Sequence, residues 1–276
     1  MDDTFRLIRI QAHDNAKRLL AGMHRSAILG DGLDFAELRP YQSGDDIRKI
    51  AWTISAKRGE LYLKTFESRR KLDVAVAALL DGGVYCAHDN TKQRLIASVA
   101  MTLGYAALWQ GDRFAGAALS PKDTQRFAPS TDIASVERLG QAVLSASLWQ
   151  TALDAKELAQ RVYATFADRS LLCLIGDFFE PVDLALSAQK HDVVAVIVRC
   201  NEEMYGGFEG RWDMVDPKSG AHRKRTVSRK AVLAYMQRKE EHDAALFAHF
   251  AKHRIRHTVI TDETQIVPNL AALFRR

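Results

Sequence analysis

The chain has 276 residues, of which 47% are apolar and 26% charged, and its 39 Lys and Arg exceed 34 Asp and Glu for a net charge of +5. This composition can bury a core and excludes an intrinsically disordered chain; the length suits one large α/β domain with a modest appendage. A charge excess this dilute does not predict nucleic-acid binding, but it leaves room for an acidic partner surface.

The N-terminal stretch from about 3 to 22 places Phe5, Ile8, Ala12 and Leu19 near helical spacing and has Gly22 just past its end, which predicts an amphipathic helix. It opens Met1-Asp2-Asp3 with no apolar run, so no signal peptide is expected and the cytoplasm is the default location. Residues 26–60 are rich in Gly and Asp and predict an ordered connector, and Leu61 to Phe66 alternates as a strand does. Val74 to Leu80 is a continuous run of small apolar residues, expected of a central parallel strand buried on both faces. It is far shorter than the ~20 residues of a membrane span, and no longer apolar run occurs.

Further elements follow in alternation. A helix is predicted over 91–109, a strand over 113–119, helices over about 132–146 and 154–168, and a strand over 171–175. Then come a helix near 181–189, a strand over 193–198, a long helix over about 228–253, a strand over 257–260 and a closing helix over 267–274. The fold class expected is α/β, a mostly parallel sheet with helices on both faces, covering 72–276 after a helix and connector at 1–71. Cys86, Cys173 and Cys200 lack metal-binding spacing, and their odd number predicts free thiols.

The densest stretch is Arg39-Pro40-Tyr41-Gln42-Ser43-Gly44-Asp45-Asp46-Ile47-Arg48-Lys49-Ile50-Ala51-Trp52, followed by Leu61-Tyr62-Leu63-Lys64-Thr65-Phe66-Glu67. Together with the lead-in Ser26 to Leu38 it resembles, from about 24 to 81, the domain-of-unknown-function 58 family of von Willebrand factor A-like bacterial proteins. That resemblance implies a Rossmann-like fold and a genomic association with MoxR-type AAA+ ATPases. It also implies a metal-ion-dependent adhesion site of the form Asp-x-Ser-x-Ser after the first strand, with a later Thr and a later Asp, whose hard oxygens suit Mg²⁺. Here the positions read Asp81-Gly82-Gly83-Val84-Tyr85, with Thr151 and Asp177 as the later ligands. Both serines are gone, so the site is degenerate and Mg²⁺ is expected to bind weakly or not at all.

Within the signature, Gly44 can supply a positive φ, while Asp45 or Asp46 can close a turn or cap a short helix through Ile47, Arg48 and Ile50. Arg39, Arg48 and Lys64 are placed to pair with Asp45, Asp46 or Glu67, and Tyr41 and Trp52 bring apolar bodies with polar tips. The leading expectation is a buried ionic network; the alternative is a docking surface for a partner. A metal-dependent hydrolase or nuclease using Asp45, Asp46 and Glu67 is a third reading, but no His or nucleophile accompanies them.

His249 and His253 share a helix face and are expected to be exposed helix histidines. The run His222-Arg223-Lys224-Arg225 with Arg229 and Lys230 predicts a solvated hairpin and helix start, or a docking site for an acidic surface; it lacks the interleaved aromatics of a single-strand binder. No GxxxxGK[ST], GxSxG or HExxH pattern occurs. The function expected is a non-enzymatic adaptor working with a MoxR-type ATPase or its client.

Overall fold

The computed structural model describes residues 3–27, 38–42, 45–47, 50–64, 73–85, 91–206 and 209–275. The chain forms two compact units, one of Met1–Gly22 with Leu72–Arg276 and one of Met23–Lys71.

Helix α1 (Asp3–Ala27) buries Phe5, Ile8, Ala12, Ala16 and Leu19, the stripe its spacing predicts. Its part up to Gly22 belongs with the sheet rather than with the connector, because that stripe is buried there. In the second unit, β1 (Leu38–Pro40) pairs antiparallel with β2 (Tyr62–Lys64) and α2 (Trp52–Arg58) lies between them in sequence. Gly59 ends α2 at φ 75°, and its N–H donates to Ser55 O.

The main sheet contains β3 (Asp73–Leu79), β4 (Arg113–Leu119), β5 (Thr124–Ser130), β6 (Leu171–Gly176), β7 (Asp192–Val198) and β10 (Arg256–Ile260). Their order is β10-β7-β6-β3-β4-β5, and every pair is parallel except β4 with β5. The central strands read as uninterrupted Val, Ala, Ile and Leu because both faces are covered. Strand β5 was not legible: Thr-Gln-Arg-Phe-Ala-Pro-Ser shows no alternation, and Pro129 is tolerated because β5 is an edge strand.

On one face, Leu158 and Val162 of α5 (Ala155–Thr165) and Leu246 and Phe250 of α8 (Arg229–Lys252) pack on Ala75, Ala77, Leu172 and Leu174. On the other lies α3 (Thr91–Trp109), buried nearly all round. The reason is a third layer: His13 of α1 sets its ring edge-on to Trp109 at 4.6 Å, and Arg9 meets Glu137 of α4 (Ile133–Ser145) at 3.3 Å. The rest comprises α6 (Ala185–Lys190), α7 (Asn201–Tyr205), α9 (Ile266–Phe274) and a ribbon of β8 (Gly210–Val215) with β9 (His222–Val227). Among the described residues no helix is long and apolar enough to cross a membrane.

The expectation of three free thiols fails at Cys200, which is disulfide-bonded. Cys173 is free, and burial pushes its thiol up to about 12. Cys86 lies outside the described residues.

Helices α3 and α4 touch through small residues. A Cβ on Gly104 would stand 2.8 and 2.9 Å from the two methyls of Val136 and 3.0 Å from the Phe114 ring. Gly104→Val should therefore destabilise the fold by ~1–3 kcal/mol through overpacking, read as a lower midpoint in denaturant unfolding. An unchanged midpoint would show that the helices have room.

Candidate functional site

The chain runs from β3 outward through β4 to β5, then returns beside β3 as β6 and continues to β7 and β10 at the other edge. The carboxyl ends of β3 and β6 are therefore the topological switch point, where diverging loops open a crevice. Asp81 follows β3 and Asp177 follows β6, so the fold brings these two expected site residues together.

Asp81 is buried and caps the 3-10 turn Gly82–Val84: its Oδ1 accepts from Gly83 N at 2.8 Å. Its Oδ2 accepts from Leu153 N at 3.4 Å and meets Lys218 Nζ at 3.0 Å. Asp177 Oδ1 accepts from Phe179 N at 3.2 Å, and its Oδ2 lies 3.5 Å from Lys92 Nζ. Thr151 is present through its backbone, whose carbonyl accepts from Gly82 N at 2.8 Å. Its hydroxyl donates to Leu148 O at 2.7 Å, so it is turned away from the role the resemblance implies. Tyr85, at the second lost serine, packs edge-on against Trp149 at 5.7 Å.

The first lost serine is explained by space. A Cβ on Gly83 would stand 2.4 Å from Asp177 Oδ2 and 2.9 Å from Asp81 Oδ1. The glycine lets both carboxylates close on the turn.

Cations of the chain itself fill the crevice. Lys92, on α3 and 1% exposed, also meets Glu203 Oε1 at 2.7 Å, and Glu203 Oε2 accepts from Cys200 N at 3.0 Å at the start of α7. Lys218, from the turn joining β8 to β9, also meets Glu180 at 3.1 Å. That turn is fastened down by Gln150 N donating to Pro217 O at 2.8 Å. Arg199, 1% exposed, meets Asp243 at 3.2 Å and lies 3.4 Å over the Phe179 ring, while its buried Nη1 has no acceptor among the described residues. Two non-glycine residues flanking the crevice, Gln150 at φ 57° and Phe178 at φ 52°, adopt the left-handed region, which costs energy for such side chains.

The electrostatics follow from these contacts. Burial alone would raise the Asp177 carboxyl, but the ammoniums of Lys92 and Lys218 outweigh it and hold it below its ordinary value. Burial alone would lower Lys218, but Asp81 outweighs it and raises the ammonium above its ordinary value. Among the described residues no group of three His, Cys, Asp or Glu is arranged to hold a metal ion.

The signature residues are organised differently from the leading expectation. Arg39 grips Asp45 with two hydrogen bonds of 2.7 and 2.5 Å, and Asp45 Oδ2 also accepts from Gln42 N at 2.9 Å, closing the turn. This pair is not buried, since the Arg39 side chain is 40% exposed. Helix α2 begins at Trp52 with no side-chain cap from Ala51, and the short helix expected through Ile47, Arg48 and Ile50 lies partly outside the described residues. Asp46 and Trp52 are exposed and Tyr41 half-buried. Gly44, Arg48, Glu67 and the side chain of Lys64 lie outside the described residues.

His249 departs from the exposed histidine expected. Its Nε2 accepts from Leu184 N at 3.2 Å, burial and then His253 lower its pKa, and with His242 it lines a cavity of about 330 Å³. The residues that sequence reasoning missed are Lys92, Lys218, Arg199, Glu180 and Glu203. The turn Asp216-Pro217-Lys218-Ser219-Gly220 carried a readable turn signal, but nothing local announced its docking at Asp81.

The family model described as "Protein of unknown function DUF58" matches residues 37–245. The chain belongs to the DUF58 family. Uncharacterized proteins of Mycobacterium tuberculosis (Rv1480) and Mycobacterium bovis (Mb1516) are each 26% identical to it over 209 residues, which is 70% of this chain. The match covers 63% of the length of those relatives. Among solved structures, the conserved hypothetical protein BatB from Bacteroides thetaiotaomicron aligns with 73% of this chain and 98% of its own, at 8% identity and TM-score 0.39. An aerotolerance-related membrane protein from Bacteroides fragilis aligns with 66% and 98%, at 11% identity and TM-score 0.35.

Two outcomes test the DUF58 crevice. Lys92→Met removes the ammonium that the largely buried Asp177 and Glu203 carboxylates both meet and should cost on the order of 3–5 kcal/mol in denaturant unfolding at neutral pH; a loss under ~1 kcal/mol, the scale of a surface pair, would contradict the pairing. The pH dependence has two edges. A carboxyl held low, as in Asp177, stabilises the fold above its ordinary value and stops doing so as pH falls through the lowered one. An ammonium held high, as in Lys218, stabilises below its ordinary value and stops as pH rises through the raised one. The Asp177 and Lys218 contributions should thus be intact from about pH 5 to pH 10. Melting scans of wild type beside Asp177→Asn and Lys218→Met check this, each variant flattening its own edge.

Proposed function

We propose that this protein is a non-enzymatic adaptor that docks on a MoxR-type AAA+ ATPase, or on that machine's protein client, and assists the maturation of a protein assembly. The observation that carries the reading is the surface of the signature unit. Trp52 is 62% exposed, Ile47 60% and Leu61 44%, all within the small Met23–Lys71 unit. Single exposed apolar residues are ordinary, but three large ones in one short motif favour the docking reading over a buried network. An exposed tryptophan is the side chain that most often anchors a protein interface.

The crevice supports the same reading. Strand order with an antiparallel β5 at one edge suits a von Willebrand factor A-like domain, whose switch point captures protein ligands. Here its carboxylates are engaged by Lys92 and Lys218, an arrangement that serves rigidity. The Asp45 carboxylate, required by a hydrolase reading, is committed to Arg39.

Affinity capture of the tagged chain from its native cells, with and without ATP and with mass-spectrometric identification, tests the proposal. A MoxR-type AAA+ ATPase or a client of it should be recovered. Trp52→Ala with Ile47→Asp should abolish recovery while shifting stability by no more than ~0.5 kcal/mol per site, as exposed positions do. Recovery of neither, with or without ATP, or equal recovery by the variant, overturns the reading.

A further inference from the structure

The ribbon β8–β9 has features that the crevice does not use. Its register sets Trp212 opposite Arg225 and Met214 opposite Arg223. Side chains alternate along a strand and paired residues share a face. Trp212, Met214, Arg223 and Arg225 therefore share one face, and Arg211, Asp213, Lys224 and Thr226 the other. The aromatic that the linear run 222–230 lacks is thus supplied across the ladder by β8. Residues 210–214 and 222–226 are all exposed, Trp212 to 40% and Met214 to 43%. Among the described residues, Arg211, Arg223, Lys224 and Arg225 form no ion pair and Trp212 stacks on no other ring.

Among the described residues the ribbon is a two-stranded sheet, so its outer edges carry backbone donors and acceptors unpaired by the sheet. A hairpin of this size is marginal alone. This one is pinned at its tip, where Gly220 N donates to Asp216 O at 2.7 Å, Gln150 N donates to Pro217 O at 2.8 Å, and Lys218 meets Asp81 at 3.0 Å. A pinned ribbon is ordered in advance, which lowers the entropy cost of binding. Beside it a cavity of about 230 Å³ is lined by Arg211, Trp212, Asp213, Lys224, Arg225 and Thr226.

We propose that the β8–β9 ribbon binds an acidic, extended segment of a partner protein, which adds to an open edge as a further strand. The proposal deepens the adaptor reading and rests on it for the partner being a protein. Edge addition gives affinity through the main chain and specificity through alternate side chains. Every second residue of the incoming strand would lie on the face of Trp212, Met214, Arg223 and Arg225, where its apolar side chains would meet Trp212 and Met214 and its carboxylates Arg223 and Arg225. Charge complementarity selects an acidic segment, since residues 222–230 hold five Lys and Arg and no acid. A single-stranded nucleic acid would call for a succession of stacking platforms, whereas Trp212 is followed on its face by the thioether of Met214.

The test is fluorescence anisotropy with the full chain and a labelled peptide whose Glu, Val and Phe occupy every second position, so that they share one face, with Thr between them. The comparison probes are the same peptide with Lys for Glu, the same peptide N-methylated at alternate amides, oligo(dT), and phosphatidylserine vesicles. The acidic peptide should bind saturably, and Arg223→Glu with Arg225→Glu should weaken it on the order of tenfold or more. Trp212→Ala should weaken it severalfold, and N-methylation should abolish it. All three positions are exposed, so a melting curve like that of wild type confirms that the variants fold. Absence of saturable binding overturns the proposal, as does equal binding of the Lys peptide or the N-methylated peptide, tighter binding of oligo(dT) or vesicles, or indifference to the Arg223 and Arg225 changes. The assay contains no ATPase, so a failure to capture an ATPase from cells leaves its outcome unaffected, and the two readings fall separately.

Discussion

The structure turns on charge compensation at one place, the carboxyl end of the sheet between β3 and β6. A topological switch point leaves a crevice there, and the chain lines it with Asp81 and Asp177. Carboxylates in a protein interior need partners, since an unpaired buried charge costs several kcal/mol. Lys92 and Lys218 supply them, and each links elements far apart in sequence. Lys92 joins α3 to the loop after β6 and to α7, while Lys218 ties the β8–β9 turn to the loops after β3 and β6. A rigid crevice and a pinned ribbon are consequences of the same ion pairs.

How much of this was legible depended on range. Strands β3, β4, β6 and β7 could be read because burial on both faces leaves a continuous apolar run. The buried stripe of α1 could be read from Phe5, Ile8, Ala12 and Leu19. Asp81 and Asp177 could be placed because the family resemblance points to an Asp after the first strand and a later Asp. Lys92 and Lys218 could not, since in sequence each is an ordinary basic residue and its partner is set only by tertiary contact. Strand β5 was hidden by its edge position, where neither alternation nor exclusion of proline is enforced. The ribbon face was hidden because its interleaving of Trp212 and Met214 with Arg223 and Arg225 runs across two strands.

The signature shows a different limit. Its density of charge and aromatics suggested burial, whereas Arg39 and Asp45 close a solvent-facing turn and Trp52 projects from the start of α2. A motif rich in Arg, Asp and Trp is compatible with an inward network and with an outward contact surface, and composition does not separate them. Exposure does. The DUF58 family match covers this segment and most of the α/β unit, so both belong to the family's common architecture.

The most direct test of the lysine-filled crevice is crystallographic. Crystals grown at neutral pH and soaked in manganese chloride would be measured for anomalous scattering. The account predicts no manganese peak between Asp81 and Asp177, with Lys218 Nζ about 3 Å from Asp81, the distance in the structure. A well-occupied peak coordinated by both carboxylates, with Lys218 swung away, would contradict it.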